Sequence, residues 1–404
     1  MTQTKSILLL GGSRQQVVAI EAAKRLGYRT VLCDYLPDNP GQFAADVFYQ
    51  ESTTDRQKML EIARSEQVSG VLAYSSDPAA PTAAYVAQEL GLPTNPLAAV
   101  ETLSVKHLFR KHLREHGLPC PISRPVTASS STKKLISLSS DMSYPVVVKP
   151  SDSSGSKGIS VISEPSVEKF SRALDHARGF SRNGILVLEE YIEATFPRVI
   201  GGDVFVVDGE VRFWGLMSCL RDEGLGGLVP VGERNPSGLS AAQLTRVKDT
   251  IQTLITSLDI RFGELNVEII VGNDDVPYFL ELGARAGGNM IPVQLSDISG
   301  IDLVEANVRY AMGDLSMAVD FDGNDEVCCT YVLHAPCEGV YRGIFLPQDL
   351  EAHVYRKVFY VDEGERVEGF DSAAKAIGIL FARFESEAQM NAFLPAFRDC
   401  VVVE

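Results

Sequence analysis

The chain has 404 residues, 45% of them hydrophobic, with 53 acidic against 37 basic side chains and a formal net charge of −16. That content suffices to bury the cores of two or three domains, and the negative balance argues against a polyanionic partner, so nucleic acid is not expected. Seven cysteines, at 33, 120, 219, 328, 329, 337 and 400, are odd in number and lack Cys-x-x-Cys spacing, which argues against a disulfide framework or zinc site and suits a reducing cytoplasm.

The first apolar run, ILLL, stops at Gly11-Gly12, and no run approaches the eighteen or so residues that span a bilayer, so neither a signal peptide nor a membrane association is expected. Residues 6–34 read as strand SILLL, glycine turn GGSRQQ, helix VVAIEAAKRLGY and strand RTVLCD, one βαβ unit with Gly27 closing its helix. Gly11, Gly12 and Ser13 could hold an anion at a helix N-terminus, and Asp34 stands where a dinucleotide fold contacts ribose. Arg14 to Gln16 supply no glycine, however, so a carboxylate-binding or structural role is preferred over a dinucleotide. A helix near 54–66, a strand at 68–75 and a helix from Pro81 to Leu90 continue the alternation and predict a parallel sheet, ended by LPTNP at 92–96.

A helical stretch over 98–118 gathers Lys106, His107, Arg110, Lys111, His112, Arg114 and His116, either a solvated face or a source of one phosphate-directed lysine. YPVVVKPSDSSGSKGISVI at 144–162 reads as two strands around a Ser/Gly loop. It is not a Walker A sequence, but its backbone N–H groups can cover phosphates, and Lys149 is an unusual cation at the end of an apolar strand. A helix over 165–178 leads to ILVLEEYIE, a strand ending in Glu189 and Glu190. Within 213–238, the glycine-rich LRDEGLGGLVPVGERNPSG reads as a loop near an acceptor substrate, with Arg221 and Arg234 as carboxylate partners or ordinary surface arginines.

The segment RFGELNVEIIVGNDDVPYFLELGARAGGNMIP, 261–292, reads as a hairpin. Folding it about 274/275 sets Glu268 opposite Glu281. Two carboxylates about 5 Å apart repel by roughly 3 kcal/mol at an effective dielectric near 20, a cost that a divalent cation reverses. The alternative is a solvated face with two unrelated glutamates. Arg285 and the glycines 283, 287 and 288 add a fixed cation and close backbone approach. After Asp314, the runs VCCTYVLHAP, GVYRGIFL and HVYRKVFYV read as strands and 386–396 as a helix, with Cys328 and Cys329 as buried strand residues.

GLPCP, YPVVVKP with its glycine loop, LEEYIE, NVEIIV and ELGARAGG occur in an order and at intervals that resemble the ATP-grasp superfamily, of the carboxylate-amine ligase type that includes L-amino-acid ligases and biotin carboxylase. The resemblance covers about 5–315. It implies an α/β and α+β architecture: a Rossmann-like preATP-grasp domain (1–97), a two-lobed ATP-grasp domain (98–315, nucleotide lid at about 122–190) and a C-terminal α+β lid domain (316–404). It further implies that Lys106 and Lys149 contact ATP phosphates, and that Ser153, Ser154, Gly155, Ser156, Lys157 and Gly158 form the phosphate lid. Glu189, the Glu190 carbonyl and the Ile192 N–H would read adenine. Glu268 and Glu281 would hold Mg²⁺, with Mn²⁺ as the substitute, and Arg285 and Lys149 would be catalytic. Arg285, Gly287, Gly288, Arg221 and Arg234 would face the substrate.

Two positions depart from the pattern. Gly283 replaces an asparagine metal ligand, and Phe196 stands where many relatives place a ribose-binding glutamate, leaving Glu193 or Asp203 as substitutes. The implied reaction is ATP-dependent activation of a small carboxylate, an amino acid first of all, as an acyl phosphate attacked by an amine. Bicarbonate activation like that of biotin carboxylase or carbamoyl-phosphate chemistry, and a non-catalytic nucleotide-binding protein, are the alternatives. Small molecules are the expected partners, with a homodimer left open.

Overall fold

A computed structural model describes residues 4–155, 157–193, 197–221, 229–371 and 375–404. The N-terminal sheet is parallel, in the order Val47–Gln50, Arg29–Asp34, Ser6–Leu10, Gly70–Leu72. Its central strand SILLL is buried at every position. Leu8 and Leu10 pack under the helices Arg56–Ser65 and Ala80–Leu90, whereas Ile7 and Leu9 pack against Val17–Arg25 and Leu303–Ala311. Helices on both faces explain the unbroken apolar run. Asp34 is structural here: its carboxylate accepts from the Gly12 N–H at 2.7 Å and the Leu36 N–H at 2.9 Å.

The expected single helix over 98–118 is two, Leu97–Ser104 and Lys106–Glu115. Val105 between them is extended, with φ −125° and ψ 108°, and the Lys106 N–H donates to the Ser151 carbonyl at 2.8 Å. That bond outside the helix ties its first turn to a four-stranded antiparallel sheet, ordered Ser123–Thr127, Ile185–Glu190, Val146–Pro150, Ser160–Ile162. Helices Thr132–Leu138 and Val167–Phe180 cover one face through Leu135, Phe170 and Leu174.

An eight-stranded antiparallel sheet forms the centre, ordered Pro277–Gly283, Phe262–Val271, Val199–Val207, Glu210–Arg221, Pro230–Asn235, Cys328–Leu333, Gly378–Arg383, Val354–Phe359. Helix Ala241–Ser257 packs on one face through Val247, Ile251 and Leu254, and helix Ile291–Ser299 on the other through Leu295 against Phe205 and Phe213. Gly202 permits the close approach of two central strands, because a Cβ there would lie 2.0 Å from the Gly215 carbonyl. A small sheet, Arg366–Val367, Gly339–Ile344 and Val401–Val403, completes the C-terminal part. We propose chain divisions near 97 and 315; at the second, the central sheet continues into the last segment. Cys328 and Cys329 are buried, all seven cysteines are free, and no helix among the described residues is long and apolar enough to cross a membrane.

Candidate nucleotide and carboxylate site

The three larger sheets enclose a cavity of about 720 Å³, within the range of small-molecule sites. Its wall includes the hairpin Phe262–Val271/Pro277–Gly283. Gly272 donates to the Val276 carbonyl at 2.9 Å and Asp275 takes φ 60°, so the turn pairs Val271 with Pro277 and Ile269 with Phe279, and a bulge at Leu280 then shifts the register by one so that Glu268 faces Glu281. Both carboxylates line the cavity. Burial raises the Glu281 carboxyl; Lys106, 3.6 Å away, opposes this while Asp77 and Glu268 add to it, and the net is upward. Arg221 Nη2 lies 3.8 Å from Glu268 Oε1.

The antiparallel sheet contributes a buried ionic cluster. Glu189 is 2% exposed, and its carboxylate accepts from Arg110 Nε at 3.1 Å, from Arg110 Nη2 at 3.4 Å and from the Lys149 ammonium. Arg110 is fully buried and also donates to the Leu280 carbonyl at 3.0 Å, one residue before Glu281. Burial alone would raise the Glu189 carboxyl, but Arg110 and Lys149 outweigh it and hold it down at about 2. Burial, with Arg110 and Lys106 nearby, leaves Lys149 below the ordinary lysine value despite Glu189. Glu189 is therefore the counter-ion of two cations as well as a lining residue of the cavity. Arg110 is likewise no solvated helix cation.

Arg285 is locked on Asp77, with Nε and Nη2 each 2.7 Å from one carboxylate oxygen. Burial raises Asp77, and Arg285 more than reverses that, leaving the carboxyl below its ordinary value. Asp297 pairs elsewhere, accepting from Arg356 at 2.9 Å and Tyr355 at 3.0 Å. The same pair accounts for Gly283: a Cβ there would lie 3.1 Å from Asp77 Oδ1 and 3.2 Å from Arg285 Nε, so an asparagine would crowd the ion pair.

Of the other residues singled out from sequence, Ser153, Ser154, Gly155, Lys157, Glu190, Ile192, Arg221, Arg234 and Gly288 line the cavity with Lys106, Lys149, Glu189 and Arg285. Gly158 and Gly287 do not; the Gly287 N–H donates to Asp203 at 2.8 Å. Asp203 is fully buried under that turn and also accepts from Asn266 Nδ2 at 2.8 Å, which removes it as a ribose ligand. Arg234 is a buried tie, donating to Asn391 Oδ1 at 2.7 Å and Glu387 Oε2 at 3.1 Å. Ser156, Phe196 and residues 222–228 lie outside the described residues.

Sequence reading missed Asp77, Glu233 and Gln15, all of which line the cavity. The only signal for Glu233 was a charged residue after the alternating VPV, and that segment is the strand Pro230–Asn235, not the loop expected from its glycines.

The family described as "Carbamoyl-phosphate synthase L chain, ATP binding domain" matches residues 106–317. The carbamoyl phosphate synthase large chain of Thermotoga petrophila is 24% identical over 293 residues, 71% of this chain and 25% of that one. This chain thus spans about a quarter of the length of such relatives. The formate-dependent phosphoribosylglycinamide formyltransferase of a Synechococcus species is 31% identical over 325 residues, 77% of each chain. Among solved structures, the L-amino acid ligase of Bacillus licheniformis has a TM-score of 0.82 at 18% identity, covering 100% of both chains. The biotin carboxylase domain of Hydrogenobacter thermophilus 2-oxoglutarate carboxylase scores 0.75 at 18% identity, covering 99% of this chain and 91% of that one.

Proposed function

We infer the activity from the premise that this chain belongs to the carbamoyl-phosphate synthase L chain ATP-binding domain family and has the ATP-grasp fold. ATP with Mg²⁺ is the nucleotide of this family. The reading is an ADP-forming ligase: the γ-phosphoryl group of ATP passes to a carboxylate oxygen of a small acid, an amino acid first of all, giving an acyl phosphate and ADP. An amine nitrogen then attacks the acyl carbon, the acyl C–O bond breaks with its electron pair leaving on phosphate, and the nitrogen loses a proton.

The observation that carries this reading is the opposed pair Glu268 and Glu281 in one cavity with Lys106, Lys149 and Arg285. Two carboxylates suit Mg²⁺, which takes one or two and completes its shell from phosphates and water. Among the described residues no cluster of three or more His, Cys, Asp or Glu offers a protein-only metal cage. We assign Glu268 and Glu281 as the residues that hold the ion; when bound, it supplies positive charge to the phosphate oxygens. Lys106 and Lys149 offset phosphate charge, Glu189 with Arg110 positions Lys149, and the Glu190 carbonyl and Ile192 N–H face adenine. The described loop residues Ser153, Ser154, Gly155 and Lys157 cover the phosphates and exclude water. Arg285, aligned by Asp77, faces the transferred phosphoryl group or the substrate carboxylate. No side-chain nucleophile is required.

Bicarbonate as the acid is the second reading, favoured by the matches to carbamoyl phosphate synthase large chains. ADP release over a panel of acids and amines, with mass detection of products, separates the two. The ligase reading expects ADP release that needs both an amino acid and an amine, with a product equal to their sum less one water. ADP release with bicarbonate alone rejects that reading in favour of the second.

A further inference from the structure

Glu233 is a buried carboxylate on the cavity wall that the proposed chemistry leaves unused. Its main chain is clamped on both sides: the N–H donates to Thr330 Oγ1 at 3.1 Å, the carbonyl accepts from Gln294 Nε2 at 3.0 Å, and Thr330 Oγ1 donates to Gln294 Oε1 at 3.0 Å. Its side chain lies over Gly201, where a Cβ would stand 2.6 Å from each carboxylate oxygen. The residue is 5% exposed, and among the described residues Oε2 has no hydrogen-bond partner. A carboxylate fixed in this way, on a cavity that a substrate must enter, needs a donor from that substrate.

We propose that Glu233 forms the subsite that receives the ammonium group of the amine substrate. This rests on the ligase reading. An ammonium brings a positive charge and hydrogen-bond donors to Oε2, which has no partner among the described residues. A divalent cation fits less well, because the cross-strand neighbour of Glu233 is Cys219 and not a second carboxylate as at Glu268 and Glu281. Burial, opposed by a Cys219 hydrogen bond and Arg221 and reinforced by Glu268, raises the Glu233 carboxyl to about 8, so an arriving cation favours its ionised form. The subsite shares its cavity with Glu268 and Glu281, and the bound ammonium passes one proton to the Glu233 carboxylate, which leaves its nitrogen the lone pair that attacks the acyl carbon.

Hydroxylamine separates the two steps, because it is uncharged at neutral pH and traps an acyl phosphate as a hydroxamate without needing an ammonium site. Wild-type protein, Glu233→Gln and Gly201→Ala are each assayed with MgATP and an amino-acid panel, using hydroxylamine or glycinamide as nucleophile. Gly201→Ala keeps the carboxylate but forces it to move. For both variants, hydroxamate formation and the KM for ATP are expected to stay near wild type, while the KM for glycinamide rises roughly 10- to 100-fold, the size of one charge-assisted hydrogen bond. An unchanged glycinamide KM in a folded variant overturns the proposal, and so does a shift confined to the Mg²⁺ requirement, which makes Glu233 a metal ligand instead. If wild-type protein forms no hydroxamate with any acid, the ligase reading fails first and this subsite falls with it.

Discussion

Glu281→Gln is expected to lower turnover by about 10²–10³-fold, the scale of losing one preorganised electrostatic partner, while leaving the fold intact. Glutamine keeps the shape but removes half of the charge that the opposed pair offers a cation. In the folded state that charge is a burden: Glu281 stands opposite Glu268, and burial raises its carboxyl. Neutralising it removes a like-charge cross-strand contact, so the denaturation midpoint should stay the same or rise. ADP release at saturating Mg²⁺, measured beside a denaturant titration, reads both quantities. Near-wild-type turnover would remove Glu281 from the metal site; a lost fold would make it structural.

The second large effect is expected at Arg110, where function depends on a buried ion cluster. Arg110→Met should destabilise the protein by about 3–5 kcal/mol, because it removes the main partner of a carboxylate that stays buried and leaves the Leu280 carbonyl without that donor. The acid limb should change too. Glu189 is held at about 2 in the fold against an unfolded value near 4.3, so its contribution to stability is complete above the unfolded value and is lost as pH falls through about 2. With Arg110 gone, the folded value should move up towards the unfolded one, and the loss of stability between about pH 4.3 and 2 should become shallower. Denaturant titrations of both proteins from pH 2 to 7 measure this; parallel curves would mean that Lys149 alone holds Glu189 down.

Local features of the site were legible in the sequence where a short segment settles them. Folding the hairpin about 274/275 gives the Glu268–Glu281 pair, which the structure reaches through a turn centred on Asp274 and a one-residue bulge at Leu280, and the parallel N-terminal sheet follows from its strand and helix alternation. Partners far apart along the chain were not legible. Arg285 meets Asp77 across 208 residues, Arg110 meets Glu189 across 79, and each pairing depends on which sheet edge lies against which loop. The helix break at Val105 depends on a carbonyl from another sheet, so helical periodicity carries through it unseen. The central sheet was hidden for a similar reason. Its strands come from both sides of residue 315, and Cys328–Leu333 joins it by pairing with Pro230–Asn235, which had looked like a loop.

The claim at the centre of this account is that phosphate passes from ATP to a carboxylate before the amine attacks. An amino acid labelled with ¹⁸O in its carboxylate, incubated with MgATP and an amine that together support ADP release, tests it through the mass of the released phosphate. One ¹⁸O atom per phosphate is the expected result, because the bridging oxygen of the acyl phosphate leaves with phosphorus. Unlabelled phosphate formed in step with the amide product would contradict the account.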